Sequence, residues 1–519
     1  MCKVIRQLFF FTFVVFGTAA AVAQEGRVIR GGCTPDLVGA FTRGVQHRLP
    51  AFRNQWDSSK VYRQMVILLS FKDVDFRADD PRAEYDSLLN VEGFNRRKGK
   101  GCLAEYFRDQ SNGRCNLHFD VYGPIKVDTV ACPYVNPDKD TRNYGRAQFI
   151  AATEEVLKEN PDVDYKQYDW NGDGRIDQVI YIYAGYSGNQ GEGSYGYIWP
   201  NTSSFSSVKT PGGLTISNYS ASGELWINNS SCGIGTIAHE FSHCFGLPDI
   251  YPTSSSAGYS VVDEWDLMDG GNFTNFGWCP TNYTPIEKYL LGWLDFVDLE
   301  EPTSVRGLKP SSEGGEVYRI KHSASEWLLL ENRQQRGWDY GAPGRGLVIY
   351  HVFYDRSVWS GNTVNNNSDK RRFELIHADN MDYDDWYDLA VSRRVKYAVS
   401  GRLNNTMLST SPYPWSTDST DFINDQLTET SVPAPKMNYP NEDGETQLGK
   451  PITNICMTDD GLISFDFMGG DTDAHIPIVC NTFGEAAYFD LRGRRLNQPS
   501  GKGLIIVRSK DGIIKKVMY

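Results

Sequence analysis

The residues best placed to do chemistry lie in one run, Gly235-Thr236-Ile237-Ala238-His239-Glu240-Phe241-Ser242-His243-Cys244-Phe245-Gly246-Leu247-Pro248-Asp249. On a helix, side chains four apart share a face, so His239 and His243 can present two imidazoles to one ion, with Glu240 beside them. That spacing suits zinc. Ile234, Ile237, Phe241 and Phe245 form an apolar stripe elsewhere on the helix surface, which can dock on a core while the histidines face a cleft. Gly246 can take the positive φ of a helix C′ position and turn the chain. The turn brings Asp249 back as a third ligand, and a catalytic zinc needs three protein ligands and an open fourth position. Should Asp249 lie too far away, Glu264 is the substitute. HExxH is short enough to arise by chance, but two of only 8 histidines fall here, with a glycine stop and a carboxylate at useful distances. Downstream, Glu264-Trp265-Asp266-Leu267-Met268-Asp269-Gly270-Gly271 places Met268 in a tight glycine-terminated turn, although a methionine is usually core filler.

A second cation is suggested by Asp169-Trp170-Asn171-Gly172-Asp173-Gly174-Arg175-Ile176-Asp177, which alternates oxygen side chains and has glycine at its sixth position. Asp169, Asn171, Asp173, Arg175 (through its carbonyl) and Asp177 are the candidate calcium ligands. Position twelve is Ile180, where an EF-hand carries Glu, so Asp177 has to coordinate directly. The plainer reading is an Asx-rich turn leading into a strand.

The elements that must hold these groups follow from pattern. Tyr62 to Phe71 and Gln178 to Gly185 read as buried strands, with helix-like stretches around Cys102 to Gln110 and Gly145 to Leu157 between them. After about Val297, strands such as Trp327 to Glu331 and Gly346 to Val352 dominate as far as Met468. Three small strands near Ala487, Leu504 and Ile513 close the chain.

Met1 to Ala23 reads as a secretory signal: Lys3 and Arg6, an apolar run from Leu8 to Phe16, and a small-residue site at Ala21-Val22-Ala23. The apolar run is well short of the ~20 residues a membrane span needs, and no later stretch approaches it. The formal charge of −13 falls to −15 once Lys3 and Arg6 are lost, which disfavours nucleic acid as a partner. Of the 10 cysteines, Cys2 leaves with the signal, and in an exported chain disulfides are the expected fate of most others. Residues 24–58 have the position of a propeptide. Within it Cys33, or Asp36, could fill the open zinc position and confer latency; setting Cys33 aside leaves eight cysteines, enough for four disulfides.

The pattern HExxHxxGxxD followed by a methionine turn resembles the immune inhibitor A family of secreted zinc metallopeptidases. Val66 to Phe76, Gly113-Arg114-Cys115-Asn116-Leu117, Tyr283 to Trp293, Leu330-Glu331-Asn332-Arg333 and Pro343 to His351 agree with it, so the likeness covers roughly residues 60–380. It implies an α+β zincin-like metallopeptidase domain, a mixed sheet plus the active-site helix, followed by β-rich domains. It further implies His239, His243 and Asp249 as zinc ligands, Glu240 as general base, Met268 beneath the metal, and peptide bonds as substrate. The residue that stabilises the oxyanion is not readable; Tyr283 and Tyr289 are near in sequence. Ala486 to Arg495, Gly503 to Val507 and Ile513 to Val517 resemble the C-terminal sorting domains of type IX secretion, implying secretion machinery as a partner and release or surface attachment. The expected organisation is signal 1–23, propeptide 24–58, catalytic domain 59–298, β-rich domain 299–470 and sorting-like domain 474–519. Rival readings are a catalytically silent surface binding protein on a peptidase scaffold and a zinc hydrolase acting on a non-peptide bond.

Overall fold

The computed structural model describes residues 49, 51–94, 96–133, 143–190, 196–226, 228–254, 260–382, 408–416 and 423–471, and the backbone of four strands between 487 and 518. The signal segment, Cys33 and Asp36 lie outside the described residues.

β1 (Val61–Ser70) is apolar over most of its length because both of its faces are covered. Val66 and Leu68 enter the core beneath the active-site helix, whereas Met65, Ile67 and Leu69 enter a second core on the opposite side of the sheet. Around β1 the strand order is β2-β1-β3-β5-β4, with β2 (Asn116–Lys126), β3 (Val179–Tyr186) and β5 (Thr215–Leu225) parallel. β4 (Asn201–Lys209) is antiparallel and forms the edge of the sheet. Helices α1 (Pro81–Asn90) and α2 (Leu103–Gln110) bury Leu88, Leu89, Leu103 and Phe107 on the active-site side. On the other side α3 (Arg146–Glu159) buries Phe149, Ala152 and Val156. The chain thus forms a mixed sheet between helices. α2 and α3 fall on the two expected helical stretches. α1, capped by Asp80 through a bond from Ala83 N with Pro81 in the first turn, was not foreseen.

The remainder is β-rich. β6 (Val297–Asp298), β8 (Tyr318–Lys321), β9 (Glu326–Arg333), β10 (Gly346–Phe353) and β11 (Phe373–Leu375) form one sheet in the order β11-β10-β9-β8-β6. β12 (Trp415–Ser416) and β13 (Ile423–Asn424) form an antiparallel pair, and β7 (Thr303–Leu308), β14 (Ile452–Met457) and β15 (Ile463–Phe467) form a further sheet. Every residue of β9 is buried, because Leu329 faces the catalytic core while Leu328 and Leu330 face a third core of the β-rich part. One apolar cluster runs from Phe241 and Met268 to Trp327, Val348, Trp359 and Phe373 without a break. Beyond residue 486 there are four short strands, one more than expected, β16 (Ala487–Phe489), β17 (Arg495–Leu496), β18 (Leu504–Arg508) and β19 (Ile514–Met518), in the order β17-β16-β18-β19. The additional one, β17, is only Arg495–Leu496, too short to show a period.

The last residues of the 24–58 segment pack on the catalytic part. Trp56 stacks edge-on against Tyr62 and Phe245 and donates to Leu291 O (2.9 Å). Arg53 N donates to Phe245 O (3.0 Å), and its guanidinium pairs with Asp177.

The disulfide expectation fails for most of the cysteines. Cys102, Cys115, Cys132, Cys232, Cys244 and Cys279 are free thiols. Several act as small apolar core groups: Cys102, Cys115 and Cys279 are buried, and Cys279 Sγ donates to Gly337 O (3.4 Å). Burial pushes the Cys102 thiol up to about 11 and that of Cys279 up to about 12, so both stay protonated and unreactive. Among the described residues, no helix is long and apolar enough to cross a membrane.

Candidate active site

Helix α4 (Gly235–Ser242) carries His239 and Glu240, and a single 3₁₀ turn, His243–Phe245, continues it to Gly246 at φ +92°. Every residue of α4 is buried. Its start is set by close backbone approach: a Cβ on Gly235 would collide with Asn272 O, in the turn that follows Met268. Ile237, Phe241 and Phe245 point into the main core, where Phe241 and Phe245 meet Phe107 edge-on at 5.5 Å. The predicted stripe and glycine stop are both present.

Beyond Gly246 the chain doubles back. His243 Nδ1 donates to Leu247 O (2.7 Å), and Ile250 N donates to Met268 O (2.9 Å), joining the return segment to the methionine turn. His239 Nδ1 donates to Leu267 O (2.9 Å). A carbonyl can only accept, so both Nδ1 atoms carry their proton and both Nε2 atoms present a lone pair. They face Asp249 Oδ1 at 3.2 Å from His239 and 3.4 Å from His243. All three groups are nearly inaccessible to solvent, and His239 Nε2 and Asp249 Oδ1 have no hydrogen-bond partner. Three acceptors converging in a dry site need a cation among them, since buried lone pairs left facing one another are costly. Two imidazoles and one carboxylate, each ring fixed through its far nitrogen by a carbonyl, are the donor set that zinc takes. Ligand atoms of His239, His243 and Asp249 lie within 4.8 Å of one another, and Glu264 is not among them.

Without a metal the charges settle on protons. Burial works to lower the His239 pKa, but a proton on Nε2 could be donated to the Asp249 carboxylate, and this with the nearby Glu240 outweighs burial and raises the pKa to about 9. His243 is raised in the same way against its own burial. Asp249 is held well below the usual carboxylate range: burial works against its charge, and the two imidazoles overcome it. Glu240 is pushed upward, chiefly by burial. Thr202, on edge strand β4, donates to Glu240 Oε2 (3.0 Å) and to its backbone carbonyl (2.6 Å), leaving Oε1 without a partner. One carboxylate oxygen is therefore pinned and the other is available to take a proton.

Met268 is fully buried in the turn expected from the sequence; Gly270 and Gly271 have no room for a Cβ against Asp263 and Thr281. Tyr283 is buried with its hydroxyl on Ser242, and Tyr289 stacks on Phe296 (4.5 Å). In the Asp169 to Asp177 loop the oxygens serve the loop itself. Asp169 accepts from the N–H groups of Gly172 (2.8 Å), Asp173 (3.1 Å) and Gly174 (2.9 Å), Asn171 from Asp173 N (2.9 Å), and Asp173 from Arg175 N (2.9 Å). Asp177 turns to Arg53 and to Trp170 N (2.7 Å). Among the described residues, the convergent group of histidine and acidic ligand atoms is the one at His239.

Sequence reasoning missed Thr202 and Asn362. Asn362 Oδ1 accepts from Asp249 N (2.7 Å), and its Nδ2 donates to Asp249 Oδ2 (2.8 Å). Neither contact leaves a signal in the pattern, because Thr202 lies 38 residues and Asn362 113 residues from its partner.

Comparison with known proteins points the same way. The chain is 24% identical over 330 residues to immune inhibitor A of Bacillus thuringiensis subsp. alesti, covering 53% of this chain and 47% of that protein. It is 23% identical over 263 residues to the pre-pro-metalloprotease PrtV of Vibrio cholerae serotype O1, covering 46% of this chain and 28% of that protein. The chain thus spans about half or less of the length of these relatives. Residues 71–291, which contain His239, Glu240, His243 and Asp249, match the family described as immune inhibitor A peptidase M6, catalytic domain.

Proposed function

We propose that this chain is a secreted zinc-dependent endopeptidase that hydrolyses peptide bonds in proteins and is made as a latent zymogen. The observation that carries the reading is the meeting of two imidazole Nε2 atoms with one carboxylate oxygen, each ring locked through Nδ1, beside a glutamate with one free oxygen. His239, His243 and Asp249 hold the zinc, which when bound polarises the scissile carbonyl and lowers the pKa of water. Glu240 Oε1 accepts the proton of the attacking water and delivers it to the leaving amine, while Thr202 keeps Oε2 from rotating into its place. β4 is the last strand of its sheet among the described residues, and its Thr202 touches Glu240, so an extended peptide paired along that edge runs past the base.

Export rests on the signal segment, and latency on residues 24–58. We keep 24–58 as the propeptide, whose last residues include Arg53 and Trp56, which pack against Phe245. Cys33 as the blocking group is tested by the Cys33→Ala zymogen, which should show activity where the parent shows none. The calcium reading supposes that the cation takes Asp177 from Arg53 and uses Asp169, Asn171, Asp173 and the carbonyl of Arg175. It predicts that millimolar calcium raises the Tm, and that Asp173→Ala abolishes the rise. The C-terminal strands are our proposed sorting unit, directing the protein to the medium or the cell surface.

The deciding experiment is cleavage of denatured casein by the purified mature protein, with 1,10-phenanthroline and then with zinc restored. Cleavage that the chelator stops, zinc rescues and Glu240→Ala abolishes is the expected result. A zinc-loaded, correctly processed protein that cleaves nothing would overturn the reading.

A further inference from the structure

The β-rich part supplies a residue to the metal centre. Asn362 follows the short helix α5 (Arg356–Ser360) and sits at φ +53°, a left-handed conformation that asparagine tolerates better than most residues. Its position is fixed from below by Trp359, which is fully buried in the shared core and accepts from Asn362 N (3.2 Å). From there the carboxamide meets Asp249 twice, accepting from its N–H (2.7 Å) and donating to Oδ2 (2.8 Å). With Oδ2 held, Oδ1 is the oxygen left facing the two imidazoles. The neighbouring residues repeat the grip on the same return segment. Thr253 Oγ1 donates to Asn362 O (2.8 Å), Ser254 N to Asn366 Oδ1 (3.0 Å), and Asn365 Nδ2 to Ile250 O (2.9 Å).

We propose that Asn362 is a positioning residue for the metal: it selects which oxygen of Asp249 faces the histidines, so that the third ligand is completed by the β-rich part and not by the catalytic domain alone. The proposal rests on the metallopeptidase reading of the same site. Asp249 is the one ligand outside the helix, on a segment of turns and bends with no helix or strand of its own, so its side chain needs an external partner to be preorganised. The carboxamide suits that role because it carries both a donor and an acceptor.

The test is zinc affinity of the full chain, measured by competition with a chromogenic chelator, in the parent and in Asn362→Gly, Asn362→Asp and Asn366→Ala. Glycine accepts the left-handed backbone without strain and removes both contacts. Aspartate keeps the shape and turns the donor into a second carboxylate oxygen, and it serves if the glycine variant does not fold. Asn366→Ala loosens the same loop without touching Asp249. Zinc binding about ten- to a hundredfold weaker in both Asn362 variants, with Asn366→Ala close to the parent and the Tm values similar, is the expected result. The visible spectrum of the cobalt-substituted protein should shift in the Asn362 variants alone. Unchanged zinc affinity and cobalt spectrum in a folded Asn362 variant overturn the proposal. A parent that binds no zinc overturns the underlying metallopeptidase reading instead.

Discussion

At the scale of single residues, the site is a set of lone pairs aimed at one point, with each aim fixed by a second contact. His239 and His243 were legible in the sequence because four-residue spacing on a helix is a local geometric fact. Thr202 was not, because its contact with Glu240 depends on how an edge strand lies across the helix. Its role is testable. Thr202→Val keeps the β-branched shape and removes the hydroxyl that restrains Glu240, a bond to a charged group with a net worth of about 1.5–3 kcal/mol. We expect kcat for peptide hydrolysis to fall roughly ten- to a hundredfold, with bound zinc unchanged. Full activity in the variant would show that Glu240 needs no such restraint.

At the scale of elements, α4 is held by backbone contact more than by side chains. In Gly235→Ala the new methyl meets Asn272 O, so the helix and the turn after Met268 must separate. A loss of about 1–3 kcal/mol is expected, read as a lower midpoint of urea unfolding; a midpoint equal to the parent's would show that the two segments give way freely. The β9–β10 pair carries a pH response. His351 on β10 places Nε2 against Glu326 (2.8 Å) and Nδ1 against Glu374 (3.0 Å), so the charged ring is the form that fits. Burial works to lower its pKa, but the two carboxylates prevail and raise it from 6.5 to about 9. A raised folded-state pKa gives stability that is complete below about pH 6.5 and is lost as pH rises through about 9. The parent should therefore lose on the order of 3 kcal/mol across that window. His351→Gln should be less stable at pH 6 and flatter with pH, and equal slopes in the two proteins would refute the assignment. The strands on either side were readable because burial on both faces gives continuous apolar runs. The Ser- and Thr-rich strands β4 and β5 gave no such signal, since their pairing and not their composition makes them strands.

At the scale of the whole molecule, the catalytic and β-rich parts share one core and one buried charge network. Arg333 on β9 is 1% exposed; it binds Asp339 through Nε (2.7 Å), reaches Trp265 O (3.2 Å) beside the methionine turn, and lies near Glu331. Asp339 in turn accepts from Asn282 Nδ2 (2.7 Å) of the catalytic part. Arg333→Met leaves two acidic groups buried without their cation and should cost about 3–5 kcal/mol. Arg333→Met with Asp339→Asn should recover much of that loss. If the single variant is as stable as the parent by urea unfolding, the network does not tie the two parts together.

What the sequence determined by itself is what short-range geometry controls: a histidine pair on one helical face, a glycine where the chain must turn, and strands with both faces apolar. A likeness carried by those motifs was enough to point to a metallopeptidase. Only the tertiary structure decided which groups complete the site and hold it. Thr202 on Glu240, Asn362 on Asp249, Arg53 on Asp177 and Arg333 under the methionine turn all join residues far apart in the chain. The same holds for the cysteines that are free thiols, of which Cys102, Cys115 and Cys279 are buried, because their fate depends on which side chains surround them. Such contacts arise from the packing of whole layers, so no local period in the sequence encodes them.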